Sequence, residues 1–270
     1  MSILDPISHA LAAVLAAAHS ALTSLGADAS TAVTWLLCLG AVVVLVRIAL
    51  LPLAAHGVRV AHASARARPQ LEQLTERFRD RKDPASRRAF LEERRRIAAE
   101  HRVPRFSVLP MLLQLPIWLA LYHLISNVAG GHPVGAMGAG LVASLGGATL
   151  LGIRLTARGY FGAGPTHLLV VAGLAGLAAA LSFATQKYFV TPNLIMTGQP
   201  ATMVQLQQLM PLLSAAGLLI AAGVAPVALL IYWVINSAWT LGQSAVIWRW
   251  FPTPGSPAAA RRSTGARATS

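Results

Sequence analysis

The sequence predicts an all-α polytopic membrane protein: five transmembrane helices, a cytoplasmic helical hairpin and an N-terminal interfacial helix. Three observations predict it. The 270 residues are 55% hydrophobic and only 11% charged, with several apolar runs near the ~20 residues that a ~30 Å hydrocarbon core requires. The charge is segregated: of 22 Lys and Arg, 14 fall between Arg59 and Arg105, as do seven of the nine acids. One of the apolar runs, Ala32 to Leu53, carries a lone arginine, Arg47. A guanidinium about 9 Å in from the Leu53 end costs ~2.5 kcal/mol or more, so something must hydrate or pair it. Cys38 is the only cysteine, which rules out an intrachain disulfide and a cysteine metal site. With no phosphate-binding glycine loop, HExxH pair or GxSxG elbow, neither a cofactor nor a metal is expected, nor enzymatic chemistry.

Residues 1–30 form the first element. Leu4, Ile7, Leu11, Val14, Leu15, Ala18, Leu22 and Leu25 recur on a helical period, with Asp5, Ser8, His9, His19 and Ser20 elsewhere, as in an amphipathic helix lying in the interface outside the cytoplasm. A basic start of the kind a signal peptide carries is missing from this stretch. Residues 31–53 are the first span. Residues 54–106 are the basic hairpin, broken only at RKDP (81–84), with Leu71, Leu74 and Phe78 forming a seam on one helix and Phe90 and Ile97 on the other. Glu92 and Arg96 are spaced as an i,i+4 pair. Residues 107–126 are the second span, tolerating Pro110 and Pro116 as membrane helices do; Gln114, Trp118 and Tyr122 share one of its faces. Residues 127–165 are a Gly/Ala-rich outer loop in which Val134 to Ile153 could be a further span. Residues 166–248 hold spans three to five, and 249–270 a basic tail. Five spans put the hairpin and the tail on one side, which the positive-inside rule makes cytoplasmic, with the N-terminus outside a cell membrane; six would export the tail against that bias.

This orientation assigns depths. Gln114 lies roughly 10 Å, Thr240 about 12 Å and Gln243 about 8 Å from the cytoplasmic surface, level with Arg47. Tyr232, Asn236, Thr240 and Gln243 recur by four, four and three, so they share one face of the fifth span. Polar groups crowd the inner halves of the spans, whereas the outer halves are Leu, Ala, Val and Gly. Such a distribution fits a cavity open to the cytoplasm and closed outside. A buried cation there attracts acidic or polar segments and shortens the hydrocarbon they must cross, passive work that eases a polar stretch into or across the membrane.

These residues resemble the YidC family of membrane protein insertases, which has mitochondrial and chloroplast relatives. The resemblance rests on VRIALLPL (46–53) in the first span, LPMLLQLPIWLALY (109–122) in the second, FATQKYF (183–189) ending the third and LLIYWVINSAWTLGQ (229–243) in the fifth. It implies a groove centred on Arg47, with Gln114 and Trp233 among its lining, and a mobile hairpin that receives nascent membrane proteins. It also implies the ribosome and the Sec translocon as partners. The chain departs from the family pattern where a Gly-Cys-Leu-Pro usually opens the second span, reading Ser107, Val108, Leu109 and Pro110 instead, and in having Val103 and Pro104 where Asn-Pro is usual. The substrate groove is therefore expected to comprise Arg47, Gln114, Trp118, Tyr232, Trp233, Asn236, Thr240 and Gln243.

Two other functions compete. A transporter or channel for a small anionic solute could use Arg47 as its binding charge, but should show inverted repeats and polar groups near the midplane. A membrane-tethered nucleic-acid module would interleave aromatics with its basic residues, and this hairpin does not. Attraction of the basic hairpin and tail to anionic lipids follows from their charge alone.

Overall fold

The computed structural model of the chain describes residues 5–80, 83–103, 109–162, 164–196 and 199–267. It divides into two compact units: Met1–Leu50, Met111–Thr185 and Met210–Gly242 form the first, and Leu51–Pro110, Gln186–Leu209 and Gln243–Ser270 the second. About three quarters of the described residues are helical and strand is confined to one two-residue hairpin, as an all-α polytopic membrane protein requires.

The first unit holds α1 (Asp5–Ser24), α2 (Ala32–Ala49), nearly all of α5 (Leu109–Ala129), α6 (Ala139–Gly147), α7 (Pro165–Ala184), and parts of α8 (Ala201–Ala222) and α9 (Val227–Trp250). Its core runs through Leu11, Leu15, Trp35, Leu39, Val42, Leu124, Val171, Leu229 and Leu230. Outside that core α8 exposes Leu206, Leu209, Leu212, Leu213 and Ile220, and of its residues only Pro211 and Ala222 are buried. A helix apolar on nearly every side is at home in lipid, where its backbone bonds are satisfied internally.

Helix α1 buries Leu11, Ala12 and Leu15 but also Ser8 and His19, so its inward face is turned from the purely apolar one that periodicity suggests. Both polar side chains are bonded: Ser8 Oγ donates to the Ala120 carbonyl at 3.4 Å, and His19 Nε2 donates to that of Ala29 at 3.0 Å. By length and apolar content α1 also qualifies as a span. The entry to α2 is held by Asp28, whose Oδ1 accepts from the Ser30 N–H at 2.8 Å and the Ser30 hydroxyl at 2.7 Å. These bonds hold the exposed carboxyl below its ordinary titration range.

The first span ends earlier than expected. Helix α2 stops at Ala49, and Leu50 caps it by donating to the Val46 and Ile48 carbonyls. Pro52 cannot donate and would clash with the carbonyl four residues back, so the chain starts a new helix at Leu51. The ambiguous Val134 to Ile153 stretch folds as the nine-residue α6 and a two-residue hairpin, β1 (Thr149–Leu150) with β2 (Ile153–Arg154), Thr149 opposite Arg154. Nine helical residues rise only ~14 Å, too little to cross.

In the second unit α3 (Leu51–Arg77) and α4 (Pro84–Glu100) pack as the expected hairpin around Ala67, Leu74 and Ile97, with Phe78 and Phe90 meeting edge to face at 5.9 Å. Asp83 caps α4 by accepting from the Ser86 N–H at 2.8 Å. The helix-supporting pair differs from the expected one: Arg96 bonds Glu93 and approaches Glu100 at 3.7 Å rather than pairing with Glu92. The third span leaves its α geometry in a π turn at Thr185–Val190 and a 3-10 turn at Thr191–Asn193. The tail, expected only as a basic stretch, folds as α10 (Pro257–Arg267), its start capped by the buried Ser256.

Candidate functional site

Arg47 continues the inward face of α2. Trp35, Cys38, Leu39, Val42 and Val43 are buried at steps of three and four, and Arg47 follows Val43 by four. The lipid face of the same helix is Leu37, Val44, Leu45 and Ile48, all exposed. The guanidinium therefore turns into the unit. Its Nε donates to Asn236 Oδ1 at 3.2 Å, and its Nη2 donates to Asn236 Oδ1 at 2.6 Å and to Thr240 Oγ1 at 2.8 Å. Because a guanidinium has only donors, the Asn236 amide must present its oxygen. Thr240 in turn donates to the Asn236 carbonyl at 2.8 Å, leaving its oxygen lone pairs for Arg47.

Every acceptor on Arg47 is neutral. Among the described residues no carboxylate pairs with it and no group accepts from its Nη1. Two forked N–H donors and a full positive charge are thus left for water or an incoming polar group. Tyr232, one turn from Asn236 on the same face of α9, is buried.

The polar face of α9 is sunk at one end. Val227 to Trp233 are all buried, whereas Val234, Ile235, Asn236, Ser237 and Thr240 are half-exposed. The sunk end is sealed by the Gly/Ala-rich segment. The Leu155 and Ala157 carbonyls accept from the Ala228 and Val227 N–H groups at 2.8 and 2.9 Å, satisfying two donors that a helix N-terminus leaves free. Gly159, with φ +67°, brings the chain so near α8 that a Cβ there would lie 2.5 Å from the Gly223 carbonyl. Tyr160 adds a 2.5 Å bond to the Leu219 carbonyl. Ser144 ties α6 to α2: it accepts from Trp35 Nε1 at 3.3 Å and donates to the Ala29 carbonyl at 2.6 Å.

Of the eight expected groove residues, the structure brings Arg47, Asn236 and Thr240 into direct contact, with Tyr232 adjoining. Trp118 and Tyr122 stack with ring centroids 6.0 Å apart, both exposed on the first unit. Trp233 packs into the apolar core, 6% exposed. Gln243 belongs to the second unit, and the side chain of Gln114 lies outside the described residues. Sequence reasoning missed the residues that seal the far end, since Leu155, Ala157 and Ser144 lie in a segment whose Gly/Ala composition carries no periodic signal.

The family model described as 60Kd inner membrane protein matches residues 27–254. The chain is similar to a membrane protein insertase YidC from Streptomyces avermitilis, 31% identical over 245 residues that cover 87% of this chain and 55% of that protein. It is similar to one from Enterococcus faecalis, 42% identical over 84 residues, 31% of this chain and 30% of that one. A third, from Bifidobacterium longum, is 23% identical over 266 residues covering 96% of this chain and 78% of that protein. The chain thus spans about half the length of the first relative and under a third of the second.

Proposed function

The chain belongs to the 60Kd inner membrane protein family, the multi-pass cell-membrane proteins that include the YidC insertases, and from that premise we propose that it is itself a membrane protein insertase. In this reading a hydrophilic groove centred on Arg47 opens toward the cytoplasm and eases nascent membrane proteins into lipid without nucleotide hydrolysis. The observation that carries the proposal is the guanidinium held by Asn236 and Thr240, with no acceptor on its Nη1 among the described residues.

The physics is passive. An acidic residue at the centre of a bilayer costs ~2.5–3.5 kcal/mol by insertion scales. A cation 4 Å away in a surface-like dielectric returns about 4 kcal/mol, against ~1 kcal/mol in bulk water. A short acidic or polar segment is therefore stabilised partway across while the apolar stretch behind it partitions into lipid. Weak, neutral anchoring of Arg47 suits this work, because a built-in carboxylate would compete with each client. Positive-inside bias supports an orientation with the hairpin and tail in the cytoplasm and the N-terminus outside. The clients would be nascent membrane proteins, delivered by the ribosome and in some cases the Sec translocon, and anionic lipids would hold the basic segments.

Depleting the protein and following small one- and two-span proteins with short acidic tails tests the proposal. Insertion is expected to fail. Normal insertion accompanied by lost uptake of an anionic solute would replace this reading with the transporter.

A further inference from the structure

A second basic constellation lies wholly within the second unit. His56, Arg59, Val60, His62, Ala63 and Arg66 of α3 and Arg102, just past α4, line a cavity of 390 Å³. The α3 residues fall at steps of three and four along one face, with Val60 and Ala63 as a buried floor. No carboxylate lines it. Four of the hairpin's seven acids are paired elsewhere, Glu72 with Arg68, Glu76 with Arg79, and Glu93 and Glu100 with Arg96, and Asp83 caps α4. Among the described residues Arg59, Arg66 and Arg102 have no acidic partner. His62 is held by its Nε2, which donates to the Phe251 carbonyl at 3.2 Å.

The position of Arg102 is costly in conformation. The turn ending α4 is closed by the Val103 N–H on the Ala98 carbonyl at 2.8 Å and the Arg102 N–H on that of Ala99 at 3.0 Å. Arg102 sits at the left-handed position of this motif, φ +53°, where glycine is favoured. A non-glycine residue in this conformation is strained, and strain of this kind clusters at ligand clamps and active sites.

We infer that this cavity binds the phosphate headgroup of an anionic phospholipid. The guanidinium fork matches phosphate and carboxylate alike, and a phosphate offers more acceptor oxygens to share among three such forks. The lipid source is argued from chain connection: α3 begins at Leu51, straight after α2, and α5 begins seven residues after Arg102, so both walls are tethered to membrane helices. The apolar floor suits a glycerol backbone, and among the described residues no Phe, Tyr or Trp lines the cavity to stack a nucleobase. The inference needs α2 and α5 to be spans and is independent of insertase activity.

The test is native mass spectrometry of the full-length protein in detergent, incubated with phosphatidylglycerol, phosphatidylcholine, free glycerol phosphate or a short RNA. One phosphatidylglycerol is expected to be retained per chain, at least tenfold more tightly than phosphatidylcholine. The triple variant Arg59→Gln, Arg66→Gln, Arg102→Gln weakens retention at least tenfold, while Arg87→Gln, Arg88→Gln, Arg94→Gln, equal in charge change, alters it less than twofold. Arg102→Gly is expected to raise the melting temperature of the hairpin and yet weaken binding severalfold. Equal losses in the two triple variants would reduce the site to bulk charge and overturn the inference. So would equal retention of phosphatidylcholine, or full displacement by glycerol phosphate or RNA at matched concentration. Circular dichroism of each variant separates lost binding from lost fold.

Discussion

Arg47 in the first unit and the ion-paired arginines of the hairpin are held in opposite ways. On the hairpin, Arg68, Arg79 and Arg96 lie against carboxylates three or four residues away in sequence. In the first unit, among the described residues, Arg47 bonds only neutral oxygens, from a helix 189 and 193 residues distant in sequence. The first arrangement neutralises charge where water already screens it; the second leaves a whole charge exposed to whatever enters. Local ion pairs of this kind stabilise a helix weakly, whereas a tertiary contact to a lone cation commits two helices to one arrangement.

The contrast can be broken most severely at Arg47. Arg47→Ala is expected to cut insertion of clients with short acidic tails by roughly tenfold or more, and Arg47→Lys to keep it within about threefold, measured by protease protection of newly made clients. Equal failure of both would make fork geometry, and not charge, the working property. Truncating Leu74 in the hairpin seam to Ala is expected to cost about 2–4 kcal/mol of local stability. Hydrogen exchange should speed up in α3 and α4 while α9 stays protected.

Asn236 sharpens the same contrast. Asn236→Ala strips the cation of its main acceptor and should cost about 1.5–3 kcal/mol of thermal stability. Asn236→Asp instead gives Arg47 the kind of partner the hairpin arginines have. Stability is expected to rise and insertion to fall, and this opposite movement separates a charge kept for clients from one kept for packing. Glu93→Gln, which removes a hairpin pair, should shift stability by under about 1 kcal/mol and leave insertion unchanged. The smallest effect belongs to Asp28. Its folded carboxyl titrates below the ordinary 3.8, so the stability it adds is present above that value and is lost as pH falls through the lower, folded one. Asp28→Asn should flatten this acid limb of a melting-temperature profile.

Much of this was readable before the fold. The five apolar runs are helices, the hairpin seam of Leu74, Phe78, Phe90 and Ile97 is packed as its spacing indicates, and Asn236 and Thr240 share a face because i,i+4 residues must. The remainder depends on partners distant in sequence. Nothing near Ser8 or His19 foretells that the Ala120 and Ala29 carbonyls will bury them. The sealing of α9 by Leu155 and Ala157 uses backbone groups, which every sequence carries alike. Arg96 had Glu92, Glu93 and Glu100 all within reach along α4, spacing does not choose among them, and the structure pairs it with the last two.

We propose that Arg47 faces a hollow open to the cytoplasm and closed at the Val227 end. Single-cysteine accessibility tests it most directly, in a Cys38→Ala background that removes the buried native thiol. Thr240→Cys should react with a membrane-impermeant maleimide applied from the hairpin side of sealed vesicles and not from the other, while Leu230→Cys reacts from neither. A Thr240→Cys thiol that stays unreactive from the hairpin side, or that labels from the opposite face, would contradict the account.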